Sequence, residues 1–115
     1  MRKGLLDWQW SLYPGGHRDR VNLLLHILTV PLFWAGTALL VVALLRGAAG
    51  PVLAGLALWL AALLAQGQGH QREREAQVPF EGPLDFISRF TVEQFITFPR
   101  FLLSGGWARA LRDAR

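Results

Sequence analysis

Two long apolar runs dominate the pattern of hydrophobic and polar positions along this chain. Residues 21–45 carry no charged side chain, and a helix of this length crosses a hydrocarbon core about 30 Å thick. A second uncharged stretch covers residues 47–69, and its glycines and alanines before Pro51 are typical of a turn that leads into a helix. The pattern predicts an all-α fold in which helices over residues 21–46 and 51–70 form an antiparallel hairpin.

Neither apolar run has a polar face. Helices that are apolar all round need lipid or a large protein around them, and 115 residues allow only one domain, residues 1–115. We therefore expect the hairpin to lie in a membrane as an integral membrane protein, and not to form a two-helix core in water. Small residues between Ala54 and Ala62 favour close packing of the two helices.

The last third of the chain has a different pattern. Proline and glycine mark residues 79–83 as a loop, and residues 84–103 are predicted to form an amphipathic, aromatic-rich helix. Asp85, Arg89 and Glu93 recur every four residues and form one narrow polar stripe beside several phenylalanines. We expect the stripe to face solvent or lipid headgroups and the phenylalanines to face lipid or the hairpin.

The charges are concentrated outside the hairpin. The chain has 12 Lys and Arg against 8 Asp and Glu, a formal net charge of +4, and Arg46 is the only basic residue between positions 21 and 71. Because basic residues stay on the cytoplasmic side of membranes, both termini are predicted to be cytoplasmic. Basic residues that flank apolar runs, such as the tail over residues 104–115, predict binding to membrane phosphates and not to nucleic acid. Residues 1–20 are predicted to form an interfacial segment.

Three histidines are the main candidates for chemistry, because a chain without cysteine has no thiolate to bind metal or act as a nucleophile. His26 and His70 are each 22 residues from Ala48, so an antiparallel hairpin that turns there brings them level. His26 lies within an apolar run, where an ionisable group is a functional candidate. His17 follows two glycines, which allow it to fold back over the end of the hairpin.

Two polar residues lie one helical turn from these histidines. Asn22 precedes His26 and could orient its imidazole, while Glu73 follows His70 and could add a carboxylate if that helix continues. Two histidines and a carboxylate with open positions suit non-haem Fe(II), while imidazole also suits zinc, copper and nickel. The same residues have plainer interpretations: histidines often lie at a membrane interface, Glu73 belongs to a charge run, and Asn22 could begin a helix.

The order of these residues forms two motifs that together are similar to a known family. The first is Y-x3-H-x4-N-x3-H-x4-P, and the second is Q-x2-G-H followed by a glutamate. Their residues here are Tyr13, His17, Asn22, His26 and Pro31, and then Gln66, Gly69 and His70. Over residues 13–103 the chain resembles the membrane-embedded 2-hydroxy fatty acid dioxygenase family.

This resemblance implies an all-helical protein of the bacterial inner membrane or the endoplasmic reticulum. It implies an enzyme that uses Fe(II) and O2 to shorten a 2-hydroxy fatty acid or similar lipid by one carbon, with release of CO2. By the same resemblance His17, His26 and His70 are iron ligands or line the iron site, and Asn22 supports them.

The resemblance and the charges suggest further site residues. Glu73 is a candidate ligand, displaced by one position from the family's glutamate, which falls at Arg74 in this chain. Arg18, Arg20 and Arg72 could bind the substrate carboxylate, and each is equally explained as a cationic anchor at the cytoplasmic surface.

Two other functions stay open from the sequence. The same ligands could serve a zinc-dependent lipid hydrolase, or the chain could be a non-catalytic membrane protein that stabilises a partner or lipid. Because two spanning helices barely enclose a site, we also expect a homo-oligomer.

Overall fold

Helices make up the architecture of residues 2–114, which are the part of the chain that the computed structural model describes. In chain order they are α1 (Leu5–Leu12), α2 (Arg20–Arg46), α3 (Ala49–Gln71), α4 (Pro83–Val92), a π-helical turn (Glu93–Thr97), α5 (Phe98–Leu103) and α6 (Gly106–Arg112). No strand lies among the described residues, so the predicted all-α fold is confirmed.

The hairpin consists of α2 and α3, which run over residues 20–46 and 49–71 against the expected 21–46 and 51–70. α2 ends at Gly47, whose φ of +60° is the left-handed conformation that glycine adopts without steric cost. The Gly47 amide donates to the Ala43 carbonyl and closes the last turn of the helix. The reversal of direction therefore depends on one glycine and one following residue.

The two hairpin helices approach each other closely at a pair of glycines, Gly36 and Gly55. A Cβ atom on Gly36 would lie 2.8 Å from the carbonyl oxygen of Gly55, and a Cβ atom on Gly55 would lie 2.8 Å from that of Gly36. Larger residues at these positions would force the helices apart. This close contact is the small-residue packing that apolar helices use in lipid.

The outer surface of the hairpin is apolar. Leu28, Leu44 and Leu53 are 67%, 83% and 71% exposed. Both helices are long and apolar enough to cross a membrane, and only 28% and 17% of their most apolar stretches are buried within the protein. A core helix of a soluble protein would instead have most of its apolar surface covered by the rest of the chain.

The polar stripe of α4 faces inward, so the prediction that it faces solvent or headgroups is wrong. Asp85, Arg89 and Glu93 are 8%, 5% and 6% exposed. Arg89 Nη1 lies 3.2 Å from Asp85 Oδ2, and Arg89 also donates to the backbone carbonyls of Val78 and Pro79. These partners within the protein replace the water that a surface stripe would have, which makes burial of the charges possible.

The π-helical turn directs two adjacent polar residues into the protein. Glu93 is 6% exposed and Gln94 is fully buried. The Gln94 side-chain amide exchanges two hydrogen bonds with that of Gln66, at 3.0 and 2.7 Å. The Gln94 backbone carbonyl accepts a hydrogen bond from Trp34 Nε1 at 2.7 Å. Such turns are frequent at functional sites, because the wider turn changes which side chains share a face.

Two short helices lie in segments that were predicted only as an interfacial segment and a basic tail. α1 lies within residues 1–20 and α6 within residues 104–115. α6 is attached to the hairpin by Trp107, whose Nε1 donates to the Leu23 carbonyl at 3.0 Å. Helices of seven or eight residues are too short to be stable alone, and tertiary contacts such as this one stabilise them.

Candidate metal centre

Three histidine rings meet at the end of the hairpin opposite its turn. His26 lies two turns into α2, His70 lies in the last turn of α3, and His17 lies in the loop before α2. The ring centroids are separated by 4.9 Å for His17 and His26, and by 5.0 Å from each of these to His70. The hairpin register places His26 and His70 at one level, and the loop after α1 brings His17 beside them.

Backbone carbonyl groups orient two of the rings. Nδ1 of His26 lies 2.9 Å from the Asn22 carbonyl oxygen, and Nδ1 of His17 lies 2.8 Å from that of Tyr13. A carbonyl oxygen can only accept, so each Nδ1 carries a proton and Nε2 is the nitrogen available to bind a metal. This is the arrangement by which proteins fix the tautomer of a metal-binding histidine.

The Nε2 atoms of all three histidines are buried, and none makes a hydrogen bond, although those of His17 and His26 lie at ion-pair distance from the Glu93 carboxylate. Buried polar atoms in folded proteins nearly always make hydrogen bonds, so three nitrogen atoms without one, so close together, require an explanation. A transition-metal ion would satisfy all three at once, since neutral imidazole is a common ligand.

A carboxylate completes the group of potential ligands. Glu93 Oε2 lies 3.4 Å from His17 Nε2 and 3.2 Å from His26 Nε2, and one ligand atom from each of the four residues lies within 4.8 Å of the others. Ligands about 2.0–2.2 Å from an ion lie at most about 4.4 Å apart across it, so small shifts would let all four bind. Three imidazoles and one carboxylate fit a transition metal and leave positions open on an octahedral ion.

Tyr13 orients Glu93 and stacks on His17. Its hydroxyl donates to Glu93 Oε2 at 2.7 Å, and its ring lies 3.7 Å from the His17 ring, centroid to centroid. Burial, together with the nearby Glu93 charge, raises the pKa of Tyr13 well above its ordinary value. The phenol therefore stays protonated and remains a donor to the carboxylate.

The predicted ligand Glu73 lies in a different place. α3 ends at Gln71, so the helix does not continue far enough to bring Glu73 onto the His70 face. Its carboxylate instead accepts from the backbone amides of Arg18 and Asp19, both at 3.0 Å from Oε2, and from Asn22 Nδ2 at 2.7 Å. Glu73 thus joins the start of α2 to the end of α3. The carboxylate that lies beside the histidines, where Glu73 was expected, is that of Glu93.

Asn22 supports the site through its backbone and not by a side-chain bond to the histidine. Its carbonyl holds His26, while its side chain binds Glu73. The α2 amino terminus is also capped by Asp19, which accepts from the Asn22 amide and from Arg72 Nε. Burial alone would raise the pKa of Asp19, but these two donors outweigh it and lower that pKa.

The three predicted substrate arginines do not border the site. Arg72 pairs with Asp19, while Arg18 and Arg20 are exposed, and Arg18 lines a separate groove. Arg89 is the arginine beside the histidines' cavity, and its guanidinium carbon lies 4.1 Å from the centre of the Phe80 ring. Sequence reasoning missed Arg89 because its spacing from Asp85 is also that of an ordinary surface ion pair.

A cavity of about 130 Å³ opens beside His17, His70 and Glu93. Its walls are mostly apolar and come from α1, α4 and the loop between α3 and α4. Residues that line it include Trp8, Leu12, Val78, Phe80, Arg89 and Phe90. The arrangement places a mostly apolar space, with Arg89 and Glu75 as well as Glu93 at its wall, directly against the potential metal ligands.

The chain was also compared with known proteins. No family model, curated protein or solved structure matches it.

Proposed function

We propose that this protein is an Fe(II)-dependent dioxygenase of the membrane that shortens a 2-hydroxy fatty acid, or a similar lipid, by one carbon. The observation that supports this most is the set of three buried Nε2 atoms that lie together with the Glu93 carboxylate and make no hydrogen bond. The sequence motifs support the choice of iron and of the lipid substrate.

The ion would be held by His17, His26, His70 and Glu93. Iron, when bound, supplies the redox chemistry with O2 that the side chains of this protein lack. The protein's own contribution is orientation: carbonyl groups fix two imidazoles, and the Tyr13 hydroxyl fixes the carboxylate. Ligands held in this way would bind the ion beside the cavity.

The cavity suits an amphipathic acid. Its apolar walls, Leu12 and Val78 among them, would take the first carbons of the acyl chain and exclude water. The rest of the chain would lie in lipid, because a volume of about 130 Å³ cannot hold a whole fatty acid. Arg89, which is paired with Asp85, is the basic group at the cavity wall that the substrate carboxylate would meet.

The proposed reaction balances without a further reductant. A 2-hydroxy acid, R–CH(OH)–COOH, and O2 give R–COOH, CO2 and H2O. The bond between the hydroxyl carbon and the carboxyl carbon breaks, the hydroxyl carbon becomes the new carboxyl group, and O2 accepts the four electrons.

Turnover of a defined substrate tests this proposal. We expect protein loaded with Fe(II) in lipid nanodiscs to convert 2-hydroxyhexadecanoic acid and O2 into pentadecanoic acid and CO2, as measured by mass spectrometry. The matched control is 3-hydroxyhexadecanoic acid, which should not react because its hydroxyl is one carbon further from the carboxylate. Absence of product from the iron-loaded protein would overturn the proposal, as would equal activity with zinc under anaerobic conditions.

We further propose that both termini face the cytoplasm, because nearly all basic residues lie outside the hairpin. In a chain without cysteine, a single cysteine can report its own side of the membrane. Ala48→Cys, at the hairpin turn, should react with an impermeant maleimide only from outside the cytoplasm. Gln77→Cys, in the exposed loop after α3, is the control and should react only from the cytoplasm. Labelling of Ala48→Cys from the cytoplasm alone would refute this topology.

A further inference from the structure

The segment from Pro83 to Pro99 has its polarity reversed relative to a helix at a water surface. All three of its charged residues, Asp85, Arg89 and Glu93, are buried. Every exposed residue in it is uncharged, and they are Pro83, Leu84, Ile87, Thr91, Phe95 and Ile96. A surface helix of a soluble protein shows the opposite arrangement.

The inward polar groups are satisfied within the protein. Arg89 pairs with Asp85, Glu93 accepts from Tyr13, and Gln94 pairs with Gln66. An element that lies in hydrocarbon must meet this condition, because lipid offers no hydrogen bonds to an outward polar group.

The contacts with α2 indicate how deep this segment lies. Trp34 donates to the Gln94 carbonyl, and the Phe33 ring packs against that of Phe95 at 5.7 Å. Trp34 is twelve residues before Arg46, the last residue of α2. At about 1.5 Å per residue this is roughly 18 Å from the hairpin turn, within a hydrocarbon core of about 30 Å. The π-helical turn therefore lies level with the interior of the bilayer that the hairpin crosses.

The chain then returns to the level at which the hairpin begins. Phe98 lies beside His26, with ring centroids 6.1 Å apart, and Trp107 donates to the Leu23 carbonyl. From Trp34 to Leu23 the contacts move eleven residues along α2, roughly 16 Å toward its amino terminus. α5 and α6 thus lead away from the depth that the π-helical turn reaches.

We propose that α4, the π-helical turn and α5 form a re-entrant element whose outer face, formed by Leu84, Ile87, Phe95 and Ile96, lies against lipid acyl chains. These residues are 65%, 58%, 43% and 46% exposed. The face carries no charge, and neither does the exposed leucine surface of the hairpin, and this favours lipid over a partner protein. The inference rests on the hairpin crossing the membrane and not on the proposed catalytic activity.

Fluorescence quenching of labels attached at single residues tests this inference. A bimane label is attached to Ile96→Cys or Ile87→Cys in the full chain, which has no other cysteine, and the protein is placed in phosphatidylcholine vesicles. Doxyl-labelled lipid should quench both labels as strongly as a label at Leu53→Cys, on the exposed face of α3. Iodide in the aqueous phase should leave both almost unquenched, whereas it should quench the control label at Gln77→Cys.

Two results would overturn the inference. Strong quenching by iodide at Ile96→Cys and Ile87→Cys would place this face in water. Weak quenching by both agents would mean that protein covers the face, as in a dimer of this chain. The four labelled positions, 53, 77, 87 and 96, are exposed, so their substitution should leave the helical circular dichroism unchanged. That measurement checks the fold of each variant.

Discussion

Glutamine in place of His26 is expected to leave the purified protein without stoichiometric metal. His26 is fully buried, its Nδ1 is fixed by the Asn22 carbonyl, and its Nε2 makes no hydrogen bond and lies 3.2 Å from Glu93 Oε2 among the potential ligands. Loss of an outer-shell partner typically lowers metal affinity by about 10–100-fold, and loss of a ligand should lower it by more. Elemental analysis and calorimetric titration with Fe(II) under anaerobic conditions would measure the loss. His17→Gln and His70→Gln should behave alike.

Arg112→Ala is the matched control for these variants. Arg112 lies on α6 with its side chain 71% exposed, and it should retain the full metal content of the unsubstituted protein. Circular dichroism and thermal unfolding would establish that each histidine variant is folded. Full metal content in a folded His26→Gln or His70→Gln protein would contradict the proposed centre.

The hairpin and the placement of its histidines follow from features that are local in the sequence. Uncharged runs of this length are typical of membrane helices. When a short turn joins two antiparallel helices, it fixes which residues of one helix lie level with which residues of the other. His26 and His70 therefore came level from counting alone. His17 required only that a loop with two glycines fold back.

The inward direction of the polar stripe could not be predicted from its period. A four-residue repeat indicates which residues share a helix face, but it does not indicate whether that face meets water or the protein interior. In water the apolar side of such a helix faces inward, and in lipid the polar side does. Asp85, Arg89 and Glu93 were assigned by the rule for water, and the structure follows the rule for lipid.

The point at which α3 ends determines where Glu73 lies. Its spacing from His70 placed both on one face only if α3 continued, and α3 ends at Gln71. The π-helical turn that brings Glu93 and Gln94 inward has no recognised sequence signal comparable to a glycine cap. The fourth potential ligand thus depends on backbone geometry that residue spacing does not specify.

Glu93→Gln and Glu73→Gln are isosteric changes that separate the roles of the two glutamates. Glu93→Gln replaces a buried anion beside His17 and His26 with a neutral amide, so the affinity for Fe(II) should fall by more than about 10-fold. Glu73→Gln should retain stoichiometric metal, because its carboxylate binds backbone amides and Asn22 and lies outside the ligand group.

The two variants should also differ in stability. Glu73→Gln weakens charge-assisted hydrogen bonds that join the start of α2 to the end of α3, and it should lower the free energy of unfolding by about 1–2 kcal/mol. Glu93→Gln removes a buried anion that lies at ion-pair distance from His17 and His26, and losing one partner of such a group should lower the free energy of unfolding of the metal-free protein by more, about 3–5 kcal/mol. Denaturant unfolding of both proteins in detergent, with chelator present, measures the difference. Loss of metal from Glu73→Gln with full retention by Glu93→Gln would reverse the assignment and restore Glu73 as the ligand.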